Sequence, residues 1–433
     1  QSTEVPEVKR AADQIAVSVT VLLLMIIWSL SISAQVTLRV VSWVDYTNPV
    51  HVSGWPAVLE AFEKAHPDIK IEFYPLSGYW QKTPIMLAAG EVDVLDMTLA
   101  RIPEYVTSGM LLDLTPYVNR DLNMRDYHVY SLDRGRYPYP DGPIWTIWTM
   151  MSPTILYYNT SLFEKAGLPA PPRDWTYEKD LVEFSRKLLR IGADGTVEQY
   201  PISNYYLGFT DRTNYGLGTI RHSFGAQDYT PDGKRFALDT PENIRAWEFV
   251  DSLRQAGFIG AGYEQFLNGS VAIQFHSPWL APRAALSNIS WSTAFVPIGP
   301  AGRRVPLHGN PSIAIASTTP HPDEAWTFIR YILTTQTATS VVLAGNIPTK
   351  KSAALEWLTM SEQLWPGFRP ETAQLSIESS FFTPAVAPAQ PEADSVIIDT
   401  LRRAERGEIP VATALAEATR LANAILEERE KGD

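Results

Sequence analysis

Apolar and polar positions recur along this chain with two different periods, and each switch between them marks an element. After a mostly apolar run, VTLRVVSW (Val36–Trp43), the stretch WPAVLEAFEKAHPD sets Trp55, Val58, Leu59 and Phe62 at i, i+3, i+4 and i+7. That spacing is one face of a helix. Pro56 suits the first turn and Pro67 ends it. IKIEF then alternates, Ile69, Ile71 and Phe73 against Lys70 and Glu72, which predicts a strand with one wet face or an edge strand. Strand, helix, strand is a βαβ unit, and its right-handed crossover makes the two strands parallel. WQKTPIMLAAGEVDVLDM repeats the pattern, with Gly90 stopping a helix and a short strand through Val92–Leu95. The first third of the chain therefore predicts an α/β sheet.

Later segments follow the same logic. PYPDGPIW predicts a hairpin-like turn with Asp141 and Gly142 at its bend. TILYYN predicts a strand, SLFEKAGL a short helix ending near Gly167, and PAPPRDW a stiff spacer. Asp174 is placed to cap TYEKDLVEFSRKLLRIG, whose Leu181, Phe184, Leu188 and Ile191 share one side. PENIRAWEFVDSLRQAG and HPDEAWTFIRYILT read as helices, with Trp247 and Trp326 on their core sides. Trp175, beside its proline loop, reads as structural. FLNGSVAIQFHSPWL sets a glycine turn before an apolar strand, with Trp279 just past its end. From Pro410, Val411, Leu415, Ala418, Ala422 and Ile425 line one face of a docking helix. There is no tandem repeat.

One segment is apolar without a polar face. No charged residue occurs from Gln14 to Leu38, and Ile15–Ala34 is about long enough to span a bilayer as a helix. Cleavage after Ser33 would satisfy the small-residue rule, with Ser31 at the second small position; after Ala34 it would not, because Ile32 is bulky. Residues 1–35 are thus expected to be a cleaved signal peptide or an uncleaved membrane anchor. Either sends the remainder out of the cytoplasm.

Composition narrows the function. A chain of 433 residues exceeds one ordinary core and suggests two or three domains, or one large two-lobed unit. The net charge of -12, without a basic cluster, makes a nucleic-acid partner unfavourable. The absence of cysteine excludes thiolate catalysis, cysteine zinc sites, disulfides and a lipidated N-terminal cysteine. The seven histidines are scattered, and His276, His308 and His321 lack metal-like spacing. Gly-x-Ser-x-Gly, His-Glu-x-x-His and P-loop motifs are absent. No cofactor or metal is expected. The 13 tryptophans and 19 tyrosines, by contrast, are an excess of flat, amphipathic plates of the kind that stack on sugar rings.

The order of several motifs resembles a known family, the extracellular solute-binding proteins of ABC importers, in the sugar-binding group similar to maltose-binding protein. FEKAHPDIKIEF is similar to its first helix-to-strand signature. GEVDVLDM is similar to its Gly-x-x-Pro-Asp-Val segment, one residue shorter and with Val92 where proline is usual. LYYNTSLFEKAGLPAPPRDW is the most specific match. NGSVAIQFHSPW resembles the Gly-x-x-Ala-Met…Gly-x-Trp segment, with Ile273 and Ser277 as departures, and AFVPIGPAG and GNIPTKKSA resemble two late marks. The resemblance runs from about Val36 to the C-terminus.

It implies an α/β, two-lobed periplasmic-binding-protein fold with crossover hinge strands and a ligand cleft between the lobes. Residues 36–153 and 312–346 would form lobe 1, and residues 154–311 and 347–433 lobe 2. It further implies no catalysis, a small-molecule sugar ligand and ABC permease transmembrane subunits as partners; the membrane would be met through the N-terminal segment if that stays uncleaved, and a monomer is expected. In open parallel sheets ligands sit beyond the carboxyl ends of strands. Trp43, Tyr79, Trp80, Trp145, Trp148 and Trp279 are therefore candidate plates for sugar faces. Asp45, Asp96, Arg101, His308 and Asn310 are candidate partners for sugar hydroxyls. Two rival readings use the same residues: a glycoside hydrolase, which needs two carboxyls at fixed separation, and a tethered sensor or binding module without a transporter.

Overall fold

The computed structural model describes residues 35–43, 55–128, 132–213, 215–306, 308–309, 312–333, 345–379 and 390–432. The N-terminal apolar segment, Asp45 and Asn310 lie outside the described residues, as do the side chains of Trp55 and His308.

The strands in chain order are β1 (Val36–Ser42), β2 (Ile69–Pro75), β3 (Val94–Met97), β4 (Met150–Pro153), β5 (Ile155–Asn159), β6 (Arg190–Ile191), β7 (Val197–Ser203), β8 (Ile259–Gly260), β9 (Val271–His276), β10 (Trp291–Ala294), β11 (His308–Gly309), β12 (Ser312–Ile315) and β13 (Ile347–Pro348). They form three sheets.

The first sheet has the order β12-β3-β1-β2. β1 pairs parallel with β2 and β3, and β12 closes the edge antiparallel to β3. β2 is an edge strand, as its alternation predicts. Leu38 and Val40 point to the side covered by the helices Trp55–Ala65 and Pro322–Ile332, where Val58, Phe62, Trp326 and Phe328 pack. Val41, Leu95 and Met97 point to the other side, against Tyr79, Leu87 and Tyr105. The strand expected at Val92–Leu95 begins two residues later. Asp93 is fastened by its side chain, accepting from the Arg39 backbone N–H at 2.8 Å, from Arg39 Nε at 3.1 Å and from Thr319 Oγ1 at 2.7 Å.

The second sheet has the order β10-β5-β9-β7-β6, with β8 paired to β7. One face packs on a large core holding Trp175, Phe184, Trp247 and the helices Gln390–Glu405 and Val411–Gly432. Trp175, Trp247 and Trp326 are all sealed in cores, as expected, and the tail helix docks through Leu415, Ala418 and Ala422. The other face packs on Trp357, Trp365 and Phe368 from the segment that follows β13.

Two local expectations are corrected. Thr176, not Asp174, precedes the helical segment Tyr177–Leu188, and Asp180 Oδ2 accepts from the Thr176 backbone N–H at 2.8 Å. Ile191 leaves the helical side and is exposed, because the chain turns extended at Leu189 and enters β6. The turn at Asp141-Gly142 is hairpin-like: the Tyr137 N–H donates to Pro143 O at 3.1 Å, and the Gly142 N–H to Pro138 O at 2.7 Å.

The third sheet, β11-β4-β13, is antiparallel and lies where the chain passes between the other two. β4 runs through Thr154 directly into β5 of the second sheet. β11 precedes β12 of the first sheet, and β13 precedes the helices that cover the second. Ser152 Oγ donates to Asn346 Oδ1 at 2.8 Å, and just past β4 Thr219 Oγ1 donates to Thr154 Oγ1 at 2.8 Å, while Met150 packs in the core of the first sheet and Met151 and Ile347 pack with Trp357.

Candidate functional site

Strand ends position two groups of aromatic residues, one on each large sheet. On the first sheet Trp43 follows β1, and Tyr79 and Trp80 open the helix Tyr79–Ala88. Trp43 lies 5.2 Å from Tyr79, edge-on, and 5.2 Å from Trp80. Trp145 and Trp148 belong to the same cluster. Five of the six candidate plates are therefore gathered in one place. Trp43, Trp80 and Trp145 are half-buried and present surface. Tyr79 and Trp148 are each 3% exposed and stand behind them. The Tyr79 hydroxyl donates to Asp96 O at 2.7 Å, and the Arg134 guanidinium lies 4.9 Å over Trp148.

The polar candidates separate. Arg101 lies 5.4 Å over the Trp80 ring and pairs with Glu104 at 2.8 Å. Its charge also acts on Asp394 in the helix Gln390–Glu405, which packs on the second sheet and touches the Leu99–Arg101 turn. Asp96 is 6% exposed and turns toward the helix-covered face of its sheet. It borders a cavity of ≈ 20 Å³ with Val40, Phe73, Thr149 and Phe328. Burial pushes its carboxyl up to about 7, although the Ser42 hydroxyl donates to it and opposes the shift. His308 is described only as a backbone member of β11.

On the second sheet the structure assembles a group that the sequence reading caught only at Trp279. Tyr205 and Tyr206 follow β7, Tyr215 lies in the next loop, and Tyr263 opens the helix Tyr263–Leu267. His276 ends β9, and Arg283 lies in the helix Ala281–Leu286. The imidazole is nearly parallel to Tyr205, Tyr215 and Trp279, at 5.3, 5.8 and 5.5 Å. Arg283 lies 4.0 Å over Trp279 and donates to the Tyr263 hydroxyl at 3.1 Å. Tyr206 has φ 61, a left-handed conformation rare for a bulky residue, and its carbonyl accepts from the Leu217 N–H at 2.8 Å.

Tyr215 connects the second group to the third sheet. Burial raises its hydroxyl to about 12, against hydrogen bonds with Ser152 of β4 and Ser277 after β9, and Arg134 also acts on it. The signal for the second group was present in the sequence. Tyr205 and Tyr206 lie just beyond the carboxyl end of β7, the position at which open sheets face their ligands. Among the described residues no cluster of His, Asp or Glu could hold a metal, and no helix is long and apolar enough to cross a membrane.

The sequence profile for bacterial extracellular solute-binding proteins matches residues 48–339. The chain belongs to that family. A Brucella abortus (strain 2308) sequence described as a binding protein is 24% identical over 292 residues, covering 64% of this chain and 67% of its own. Solved structures show the fold of this solute-binding protein. The ABC substrate-binding protein Lmo0181 from Listeria monocytogenes, in complex with cycloalternan, matches with a TM-score of 0.77 at 18% identity, covering 90% of this chain and 98% of its own. Maltose-bound T. maritima MalE3 matches with a TM-score of 0.73 at 19% identity, over 89% and 99%. The GacH receptor of Streptomyces glaucescens, solved unliganded and with acarbose, gives 0.73 at 17%, over 90% and 98%. This is the two-lobed α/β architecture that the resemblance implied.

Proposed function

We propose that this solute-binding protein is the extracytoplasmic substrate-binding component of an ABC importer, closing on a di- or oligosaccharide and delivering it to a membrane permease. The observation that carries this is the pair of aromatic groups on different sheets, with Tyr215 of the second group reaching Ser152 of the third sheet. Indole and phenol rings supply apolar plates for the C–H faces of sugars, and His276, Arg283 and the tyrosine hydroxyls supply groups for the rim. The ligands in the similar structures, cycloalternan, maltose and acarbose, are carbohydrates or carbohydrate mimics and favour the same class.

In this reading lobe 1 is residues 36–153 and 312–346, lobe 2 is residues 154–311 and 347–433, and β4, β11 and β13 are the hinge. Trp43, Trp80 and Trp145 form one wall, supported from behind by Tyr79 and Trp148. Trp279 and the tyrosines form the other. Closure follows because a sugar touching both walls stabilises only the closed form; a ligand touching one wall shifts nothing. The apolar Ile15–Ala34 run, as export signal or anchor, accounts for delivery outside the cytoplasm.

Thermal denaturation against a sugar panel tests the proposal. A sugar at about 100 times its Kd should add about 2.7 kcal/mol of stability and be recovered intact. A panel without any stabilising sugar would contradict the assignment. Cleavage products would replace the carrier by a hydrolase.

A further inference from the structure

His276 is 3% exposed and holds one polar atom without a partner among the described residues, Nε2. Its other ring nitrogen is committed. Nδ1 accepts from the Ser277 backbone N–H at 2.8 Å, which places the ring proton on Nε2. Burial, with the nearby Arg283 charge adding to it, lowers the imidazole to about 3, so the ring is neutral at ordinary pH. A buried N–H donor without an acceptor is disfavoured and calls for an explanation. Five aromatic rings surround it: Tyr205, Tyr206, Tyr215, Tyr263 and Trp279, all half-buried at the strand ends of lobe 2. Three of them lie nearly parallel to the imidazole, which fixes the ring plane and thus the direction of its edge.

We propose that His276 is a specificity residue of the sugar site, donating its Nε2 proton to a hydroxyl or ring oxygen of an uncharged sugar unit held in the lobe 2 aromatic box. The inference rests on the sugar-binding reading above and deepens it. A neutral donor suits a dipolar oxygen. An anionic group beside it would favour a charged imidazole, against the burial that keeps the ring neutral. The competing explanation is an internal water: Gln274 Oε1, two residues back on the same face of β9, also has no partner among the described residues.

The test uses the full chain with maltose and mannobiose, together with their monodeoxy analogues, in titration calorimetry. His276→Gln keeps a donor near the position of Nε2, and His276→Phe keeps the stacked ring without one. For a sugar that binds, the phenylalanine variant is expected to lose about ten- to a hundredfold in affinity and the glutamine variant at most a few-fold. One deoxy analogue should bind the wild type as weakly as the parent sugar binds His276→Phe, with no further loss when both changes are combined. Equal affinity of wild type and His276→Phe for the parent sugar overturns the assignment and leaves sugar binding standing. Failure of every sugar to bind the wild type removes the parent reading and this one with it. If His276→Phe does not fold, nitrogen-15 NMR of the wild type decides: the Nε2–H resonance should shift on saturation with sugar, and an unmoved resonance means an internal water is its only partner.

Discussion

Asp96 should make the protein less stable as the pH rises through neutrality. In the unfolded chain its carboxyl titrates at the usual 3.8; in the folded chain burial holds it near 7. The folded state therefore binds the proton more tightly. The stabilisation is fully present below pH 3.8 and is lost as the pH rises through 7. The difference between 3.8 and about 7 corresponds to about 4 kcal/mol at most. Water entering the adjoining ≈ 20 Å³ cavity would hydrate the carboxylate and reduce this to about 2–4 kcal/mol. Asp96→Asn keeps an oxygen for the Ser42 hydroxyl and cannot ionise. Urea denaturation of both proteins between pH 4 and pH 8.5 isolates the residue, because every other titration cancels in the difference. The variant should match the wild type within about 1 kcal/mol at pH 4 and exceed it by about 2–4 kcal/mol at pH 8.5. Parallel pH profiles would refute the reasoning.

Three further outcomes follow from the same geometry. Asp228 is fully buried between Arg221 at 3.1 Å and Arg212 at 2.7 Å. Burial opposes its charge, but the two guanidiniums outweigh that and hold it well below the usual range; Asp228→Asn should cost about 3–5 kcal/mol in denaturant titration, and a loss under 1 kcal/mol would contradict this. Trp279→Ala should weaken sugar binding about tenfold or more in calorimetry, while the melting temperature without sugar changes little, because the indole is half-exposed; unchanged affinity removes it from the site. Trp43→Ala should weaken binding to a similar degree from the opposite wall, and an effect confined to one of the two tryptophans would mean that the ligand touches one lobe only.

Much of the architecture was legible because local pattern and tertiary role agree. The Val58, Leu59 and Phe62 stripe, the alternation of Ile69 and Ile71, and the Val411 to Ala422 face each bury the side that the period selects. Errors arose where a side chain competes with the backbone pattern. Asp93 is fastened by Arg39 and Thr319 and delays β3, and Asp180 reaches back to Thr176 and displaces the expected cap. The candidate site was half legible. The group around Trp43 gathers because Trp43 follows β1 while Tyr79 and Trp80 follow its neighbour β2. The lobe 2 box draws on Tyr205, Tyr215, Tyr263 and His276 from four separate segments, which only the sheet order β5-β9-β7 brings together. Asp96 looked polar and available beyond a strand. Its position two residues from Val94 instead turns it to the helix-covered face.

The absence of native cysteine makes the hinge directly measurable, since introduced cysteines are the only labelling sites. Gln81→Cys beside Trp80 and Leu286→Cys beyond Arg283 place one dye on each wall at exposed positions. Single-molecule energy transfer between them should report a shorter distance when sugar is added, with a midpoint equal to the calorimetric Kd. A sugar that binds by calorimetry while this distance stays constant would contradict capture by closure of two lobes.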